Sequence, residues 1–273
     1  MSNFENKKIQ FSVAVITFNE QENIGDCIRS FHDIADEVII LDSFSTDKTK
    51  EISLEFPKVK FFTRPFNGHI EQKNHAIELC SGEWILSLDA DERVTDKLKE
   101  EILKILNSND LRVGFKVPRL TKHLGKFIRH SGWYPLKRYR FFRKGFAKWT
   151  GENPHDYIEI NGEGGLLSGD IIHYSFKDLT HQIDTINKFS SIVGYTRSVK
   201  NVGFPILKSI YKPFIKFLEI YFFKLGFLDG YAGFIIAVSS SFSTFLKFAK
   251  LYEIKEGIIQ RPSNLRQDYG NSK

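Results

Sequence analysis

The first hundred residues repeat one pattern: a short apolar run, a polar stop, then a stretch with helical spacing. "FSVAVITFN" (11–19), "EVIILDS" (37–43), "VKFFT" (59–63) and "EWILSL" (83–88) read as strands. After the first, "NEQEN" reads as a helix start, with Asn19 as N-cap and Glu22 at the third helical position. "STDKTKEISLEF" is a second capped helix pattern, and "GHIEQKNHAIELC" (68–80) carries a partial apolar face at Ile70, Ala76, Ile77 and Cys80. "TDKLKEEILKIL" (95–106), capped by Thr95 and Asp96, follows the fourth strand. This alternation suits a parallel sheet with helical crossovers, and the near-continuous apolar runs imply a sheet covered on both faces.

The pattern changes from about 112 to 175. "RVGFKVPRL" and "RYRFFRKGFAKWTG" predict strands of a more mixed, partly antiparallel region, with a Gly-rich turn at "NGEGG" (161–165). Beyond "IIHYSFKDL" (171–179) the spacing is helical to about residue 256. The expected class is α/β: a Rossmann-like half with a mixed sheet, followed by a helical C-terminal region. The polar ends, 1–8 and 260–273, are expected to fray.

Composition adds three constraints. An apolar share of 41% with 26 Phe is enough for a sizeable core. Cys27 and Cys80 show no paired spacing and each sits in an apolar-periodic stretch, so buried thiols in a reducing compartment are expected. The N-terminus has no charged start followed by an apolar run, so no secretory signal is expected. The net charge of +6 is unevenly spread: Arg197 to Lys250 holds eight Lys or Arg against Glu219 and Asp229. Such a basic stretch suits nucleic acid, an anionic membrane or an acidic substrate.

Candidate chemistry gathers where the strands stop. Thr17, Asn19 and Glu20 follow the first strand, Asp42 and Ser43 the second, and Asp89 and Asp91 the fourth; ligands bind beyond such strand ends. Asp89-Ala90-Asp91 serves a capped surface turn as well as a metal site. In extended backbone, residues i and i+2 share a side, so the two carboxylates could face one Mg²⁺ or Mn²⁺ shared with a phosphate.

Four ordered motifs carry a resemblance: "VITFNEQENI", "IILDSFSTDKT", "GHIEQKNHAI" and "LSLDADE". Over residues 10 to 175 the chain resembles the family-2 glycosyltransferases, which have the GT-A fold. The resemblance implies a UDP-sugar donor held at Thr17, Phe18, Asn19 and Glu20, with Asp42 accepting a hydrogen bond from the uracil. Asp89 would lie near the ribose or metal, and Asp91 would be the direct ligand of Mg²⁺ or Mn²⁺. Lys73, which the resemblance also implies as a donor contact, stands where Arg is frequent and offers charge without a bidentate fork; Ser43 and Phe44 stand where many members have Asp and Gly.

A single in-line displacement needs a base for the acceptor hydroxyl and inverts the anomeric carbon. "WTGENPHDYIEI" offers Glu152, His155, Asp156 and Glu159. The lipopolysaccharide-core β-glucosyltransferase branch is similar here, with a His-acid pair matched by His155 and Asp156. That resemblance implies Asp156 as base, Glu152 as the alternative, and His173 against the metal or diphosphate. It also implies glucose as the sugar and a membrane-held glycolipid acceptor such as lipopolysaccharide core. The basic stretch Lys116 to Lys148, beside Trp133 and Tyr134, is a candidate clamp or sugar-contact surface.

The remaining signal is C-terminal. Lys208, Lys212 and Lys216 recur every four residues among Phe, Ile, Leu and Tyr, and Gly230 to Leu246 carries no charge. This describes a helix in the membrane interface more than a core helix or a bilayer span. No nucleic-acid module is recognisable, so none is expected as partner. The expected organisation is a GT-A domain over 9–177 and a helical membrane-interface or acceptor region over 178–260, peripheral on the inner face of the cytoplasmic membrane. Competing expectations are a polyprenyl-phosphate glycosyltransferase, which needs no base, and a donor-binding but inactive membrane adaptor. Nucleotidyl transfer would ask for a Gly-rich basic loop after the first strand, which "TFNEQENI" lacks.

Overall fold

The computed structural model describes residues 9–152, 155–198 and 202–260; the ends expected to fray lie almost wholly outside them. Two compact units result. Among described residues, the first takes 9–119 and 136–173, the second 120–135 and 174–260.

The first unit opens with the predicted alternation: β1 (Phe11–Thr17), α1 (Ile24–Arg29), β2 (Glu37–Asp42), α2 (Thr49–Leu54), β3 (Val59–Thr63), α3 (His69–Leu79) and β4 (Trp84–Asp89). A short β5 (Glu92–Val94) and α4 (Asp96–Leu106) follow. β6 (Gly114–His123) crosses into the second unit, and β8 (Leu136–Arg143) returns from it after β7 (Lys126–Phe127). The hairpin β9 (Ala147–Glu152) and β10 (His155–Ile160), then β11 (Gly164–Leu166) and β12 (Ile171–His173), complete the strands.

The main sheet runs β3-β2-β1-β4-β8-β6-β12-β5. Its first four strands are parallel, and β8 runs antiparallel to β4 and β6. Strand register decides where chemistry can gather: Thr17 is level with Asp42, and Ile16 with Asp89. The C-terminal ends of β1, β2 and β4 therefore form one rim.

Burial explains why these strands form. β2 is buried at every position and β1 at all but Ile16, because helices cover both faces. One face packs Val13, Val15, Val38 and Ile40 with Ile24 and Ile28 of α1; the other packs Ala14, Ile39 and Leu41 with Ala76 and Ile77 of α3. In α4 the spacing Leu98, Ile102, Ile105 makes the buried stripe, and Thr95 Oγ1 caps it by accepting from Leu98 N.

Three local expectations are corrected. The first helix starts at Ile24 with Asn23 before it, not with Asn19 as cap, because Asn19 is left-handed (φ 53°) and its side chain is engaged elsewhere. Asp89 and Asp91 do not share an extended segment: β4 stops at Asp89, and Ala90–Asp91 is a tight turn into β5. "RYRFFRKGFAKWTG" is two strands rather than one, broken at Gly145, which takes φ 86°.

The second unit holds α5 (Leu179–Ser198), α6 (Pro205–Leu218), a π-helical and a 3₁₀ turn over 219–229, and α7 (Tyr231–Lys255). Its apolar centre joins Ile128, Ile220, Ala232, Ile236 and Ala237. The 3₁₀ turn lies so close to α7 that a Cβ on Gly233 would sit 1.8 Å from the Gly226 carbonyl. Buried Asp229 accepts from the backbone N–H groups of Arg129 and His130 and from Ser131 Oγ. The "GFLDGYAGF" stretch is thus a packing device that ties residues 129–131 down. No residue of α6 is buried, and α7 is long and apolar enough to cross a membrane.

Candidate active site

The rim of the first unit is built by turns that lock into one another. Asn19 Oδ1 accepts from Thr46 N at 2.8 Å, and Asn19 N donates to Ser45 Oγ at 2.8 Å. Ser45 N donates to Asp42 Oδ2 at 2.7 Å, and its hydroxyl donates to Asp42 Oδ1. Asp42 is therefore buried and organises the turn that presents Asn19, Phe18 and Phe44. Glu20 N donates to Thr49 Oγ1 at 2.8 Å, fastening the same turn to α2. The Thr17 hydroxyl is buried without a partner. Phe44 is exposed and left-handed (φ 64°), at the position where the resembling family has Gly.

Past Ala90 the rim becomes strongly charged. Lys73 of α3 lies with Nζ 3.2 Å from Asp89 and 2.9 Å from Asp156 Oδ2, and 4.1 Å from the Trp149 ring centroid. Arg140 of β8 donates to Glu92 Oε1 at 3.0 Å and to the Ser87 carbonyl, 3.7 Å from Asp89. Glu92 Oε2 accepts from Asp89 N at 3.0 Å, so the third acid of "DADE" is a fully buried strut rather than a surface charge. Trp149 Nε1 donates to Ser87 Oγ. The Asn74 side chain exchanges two 2.9 Å hydrogen bonds with the Trp149 backbone, which seats α3 against β9.

These charges fix ionisation. Burial by itself would raise Asp89, yet Lys73 and then Arg140 hold its carboxyl well below the usual carboxylate range. Burial opposes the charge on Arg140 too, and Glu92 and Asp89 outweigh it. Burial pushes the Cys27 thiol up and Cys80 to about 12, so both are the inert buried thiols expected.

Asp91 has a different environment. Its Oδ2 lies 3.2 Å from His173 Nε2, while Oδ1 is buried with no partner, as is His173 Nδ1. A buried carboxylate oxygen left unpaired is costly unless something else binds there. Among the described residues no group of three His, Cys, Asp or Glu is arranged to hold a metal. Asp91 and His173 still fit Mg²⁺ or Mn²⁺, which take few protein donors and share the rest with phosphate and water.

The structure thus brings together Thr17, Asn19, Asp42, Lys73, Asp89, Asp91, Asp156 and His173 within the first unit. The side chains of Glu152 and His155 lie outside the described residues. Glu159 is exposed on β10 and makes no rim contact. The basic stretch 116–148 is not one patch: Lys116 stacks on Tyr139, Arg143 pairs with Glu83, and Arg140 is buried in the rim. Arg140 and Trp149 were missed in the sequence. The signal for Arg140 was a charge inside the apolar strand "YRFF", where burial demands partners.

Comparison with known proteins adds the family and the fold. The Glycosyl transferase family 2 model matches residues 12–161. The chain is 29% identical to the lipopolysaccharide core biosynthesis glycosyltransferase LpsC of Rhizobium meliloti (strain 1021), over 94% of this chain and 96% of that one. It is 30% identical to an uncharacterised glycosyltransferase of Rickettsia typhi, over 91% and 88%. Among solved structures, residues 1–349 of S. aureus TarS in complex with UDP-GlcNAc give a TM-score of 0.50 at 13% identity, over 91% of this chain and 92% of that one. That likeness is one of fold, a mixed curled sheet with covering helices.

Proposed function

Because the chain belongs to glycosyl transferase family 2, we propose that it moves a hexose, glucose first among them, from a UDP-sugar to a membrane-held glycolipid such as lipopolysaccharide core. The observation that carries this reading is the buried, unpaired Asp91 Oδ1 beside His173, on the rim that also holds Asp42 and Asp89. The Thr17–Glu20 turn and Asp42 would take the nucleoside. Asp91 and His173 would hold Mg²⁺ or Mn²⁺, with Asp89 at the ribose or second to the metal; the bound ion supplies Lewis-acid neutralisation of the leaving diphosphate. Asp156 accepts the proton of the acceptor hydroxyl from the face opposite the leaving group, and a single displacement inverts the sugar. Glu152 is the alternative base, and His155 directly precedes Asp156 in sequence.

The acceptor class is supported by the name of the Rhizobium relative and by the second unit. α6 leaves Ile206, Leu207, Ile210 and Phe214 exposed, with Lys208 and Lys212 on the opposite side of the helix and Glu219 held by Lys216 and Lys224. An exposed apolar face on a helix whose other side is cationic and acid-free suits the anionic inner surface of the cytoplasmic membrane. Residues 9–177 would then carry transfer, and 178–260 would keep the enzyme at its acceptor.

The test is hydrolysis of a nucleotide-sugar panel with Mn²⁺ or Mg²⁺. UDP-glucose is expected to be cleaved fastest, with no turnover in EDTA. UDP binding without hydrolysis or transfer would favour the adaptor reading. Full transfer by Asp156→Asn and Glu152→Gln together would favour a polyprenyl-phosphate acceptor. Flotation with phosphatidylglycerol vesicles at low salt should carry the protein upward; protein left in the soluble fraction contradicts the membrane contact.

A further inference from the structure

We infer that Lys73 is a positioning residue for the base, clamping the Asp156 carboxylate to Asp89, and is not a ligand of the donor. The inference rests on Asp156 being the base, as proposed above. The Lys73 side chain is 7% exposed, and its ammonium is already saturated: Asp156 Oδ2 at 2.9 Å, Asp89 Oδ1 at 3.2 Å and the Trp149 ring at 4.1 Å. An ammonium has three donors, and these contacts use the directions it has.

The clamp is itself held. Trp149, whose ring lies under the ammonium, is fixed by Ser87 through its indole N–H and by Asn74 through its backbone. Asn74 is the next residue to Lys73, so one turn of α3 sets both the cation and the ring. A cation that reached for a diphosphate would have to leave two carboxylates, one of them also 3.7 Å from Arg140.

The division of oxygens on Asp156 gives the clamp its purpose. Oδ2 is tied to Lys73, which leaves Oδ1 to take the proton from the acceptor hydroxyl. A carboxylate held in one orientation is what a general base requires. The charged groups around it are Lys73, Asp89 and Arg140, the last close enough to be stabilised by Asp156.

The experiment compares Lys73→Met and Lys73→Arg with wild type, using UDP binding by calorimetry with Mn²⁺ and kcat of UDP-glucose hydrolysis. Lys73→Met should lose about 100-fold in kcat, near the low end of what general-base catalysis contributes. Its UDP affinity should stay within about twofold, whereas a lost charge contact to the diphosphate would cost about tenfold or more. Lys73→Arg should restore most of kcat. UDP affinity lowered tenfold or more in Lys73→Met would overturn the inference and make Lys73 a donor ligand. Thermal melts separate misfolding: equal melting of Lys73→Met and Lys73→Arg with unequal kcat supports the clamp, and equal kcat rejects it. Failure of the underlying reading looks different, because Asp156→Asn would then keep turnover while wild-type Lys73 still binds UDP.

Discussion

Strand β2 buries an acid at each end, and the two ends are finished differently. At its start, Glu37 has every direction used: Ser12 Oγ donates at 2.6 Å, Ser81 N at 2.7 Å, Ser81 Oγ at 3.0 Å, and Lys60 Nζ at 2.7 Å. At the other end the rim beside Asp42 leaves Thr17 Oγ1 and Asp91 Oδ1 buried and unpaired. A fold that satisfies one end so fully has the means to satisfy the other. On the function proposed above, the incomplete end is the one where a ligand would complete the bonding, a contrast that burial alone does not draw.

The sharpest way to break this comparison is Asp91→Asn. With Asp91 holding the metal as proposed, transfer should fall on the order of 10²–10³-fold, since metal neutralisation of a leaving group is worth several kcal/mol and each 1.36 kcal/mol is tenfold. The melting temperature should change little, because the buried Oδ1 has no hydrogen bond to lose; calorimetry of the apo protein checks it.

Glu37→Leu should do the opposite. Unfolding free energy should drop by about 3 kcal/mol, the usual cost of stripping a buried acid from its partners. UDP-glucose hydrolysis per folded molecule should not change. A loss of activity at full folding would show that the two ends are coupled and would end the contrast.

The difference also has a pH signature. Burial would raise Glu37, but Lys60, Ser12 and Ser81 together hold it below its ordinary 4.5. A depressed carboxylate adds stability that is present above its unfolded value and lost as pH falls through the folded one. Urea midpoints should therefore decline below about pH 4.5, and Glu37→Gln should flatten that decline. Asp89, held lower still, should extend the wild-type decline to below 3.8.

The smallest effect is expected at Phe44. A left-handed non-glycine residue costs about 1 kcal/mol, so Phe44→Gly should raise stability by at most that amount. UDP binding should weaken severalfold, because an exposed ring kept at such a cost is worth keeping for the nucleoside. Unchanged UDP affinity would assign the ring no role there.

How much of this was legible beforehand follows from the range of the forces. β1 to β4 were readable because each strand's apolar run is local, and Asp42 and Asp89 were readable because strand ends coincide with acids. The Thr95 cap was equally local. The placement of Asp91 was reached from a false premise: residues 90 and 91 turn, and what orients Asp91 is His173, 82 positions further on. Asn19 failed as a helix cap for the same reason, since its partners Ser45 and Thr46 come from another loop. Lys73 was visible as a cation in a motif, but its partners on β4 and β10 were not. Periodicity tells which residues are buried together along one element; it does not tell which side chains meet across elements.

The paired hydrogen bonds between Asn74 and Trp149 have a consequence for descent. Through them a helix side chain behaves like the edge of a neighbouring strand, matching both the N–H and the C=O of one hairpin residue. Any shift of the hairpin that carries Asp156 would break both bonds at once, so position 74 and the hairpin register should be inherited together. Among relatives, a change at 74 is expected to accompany an insertion or deletion between β9 and β10, and lineages that keep the asparagine are expected to vary the rest of the hairpin without moving the position of Asp156.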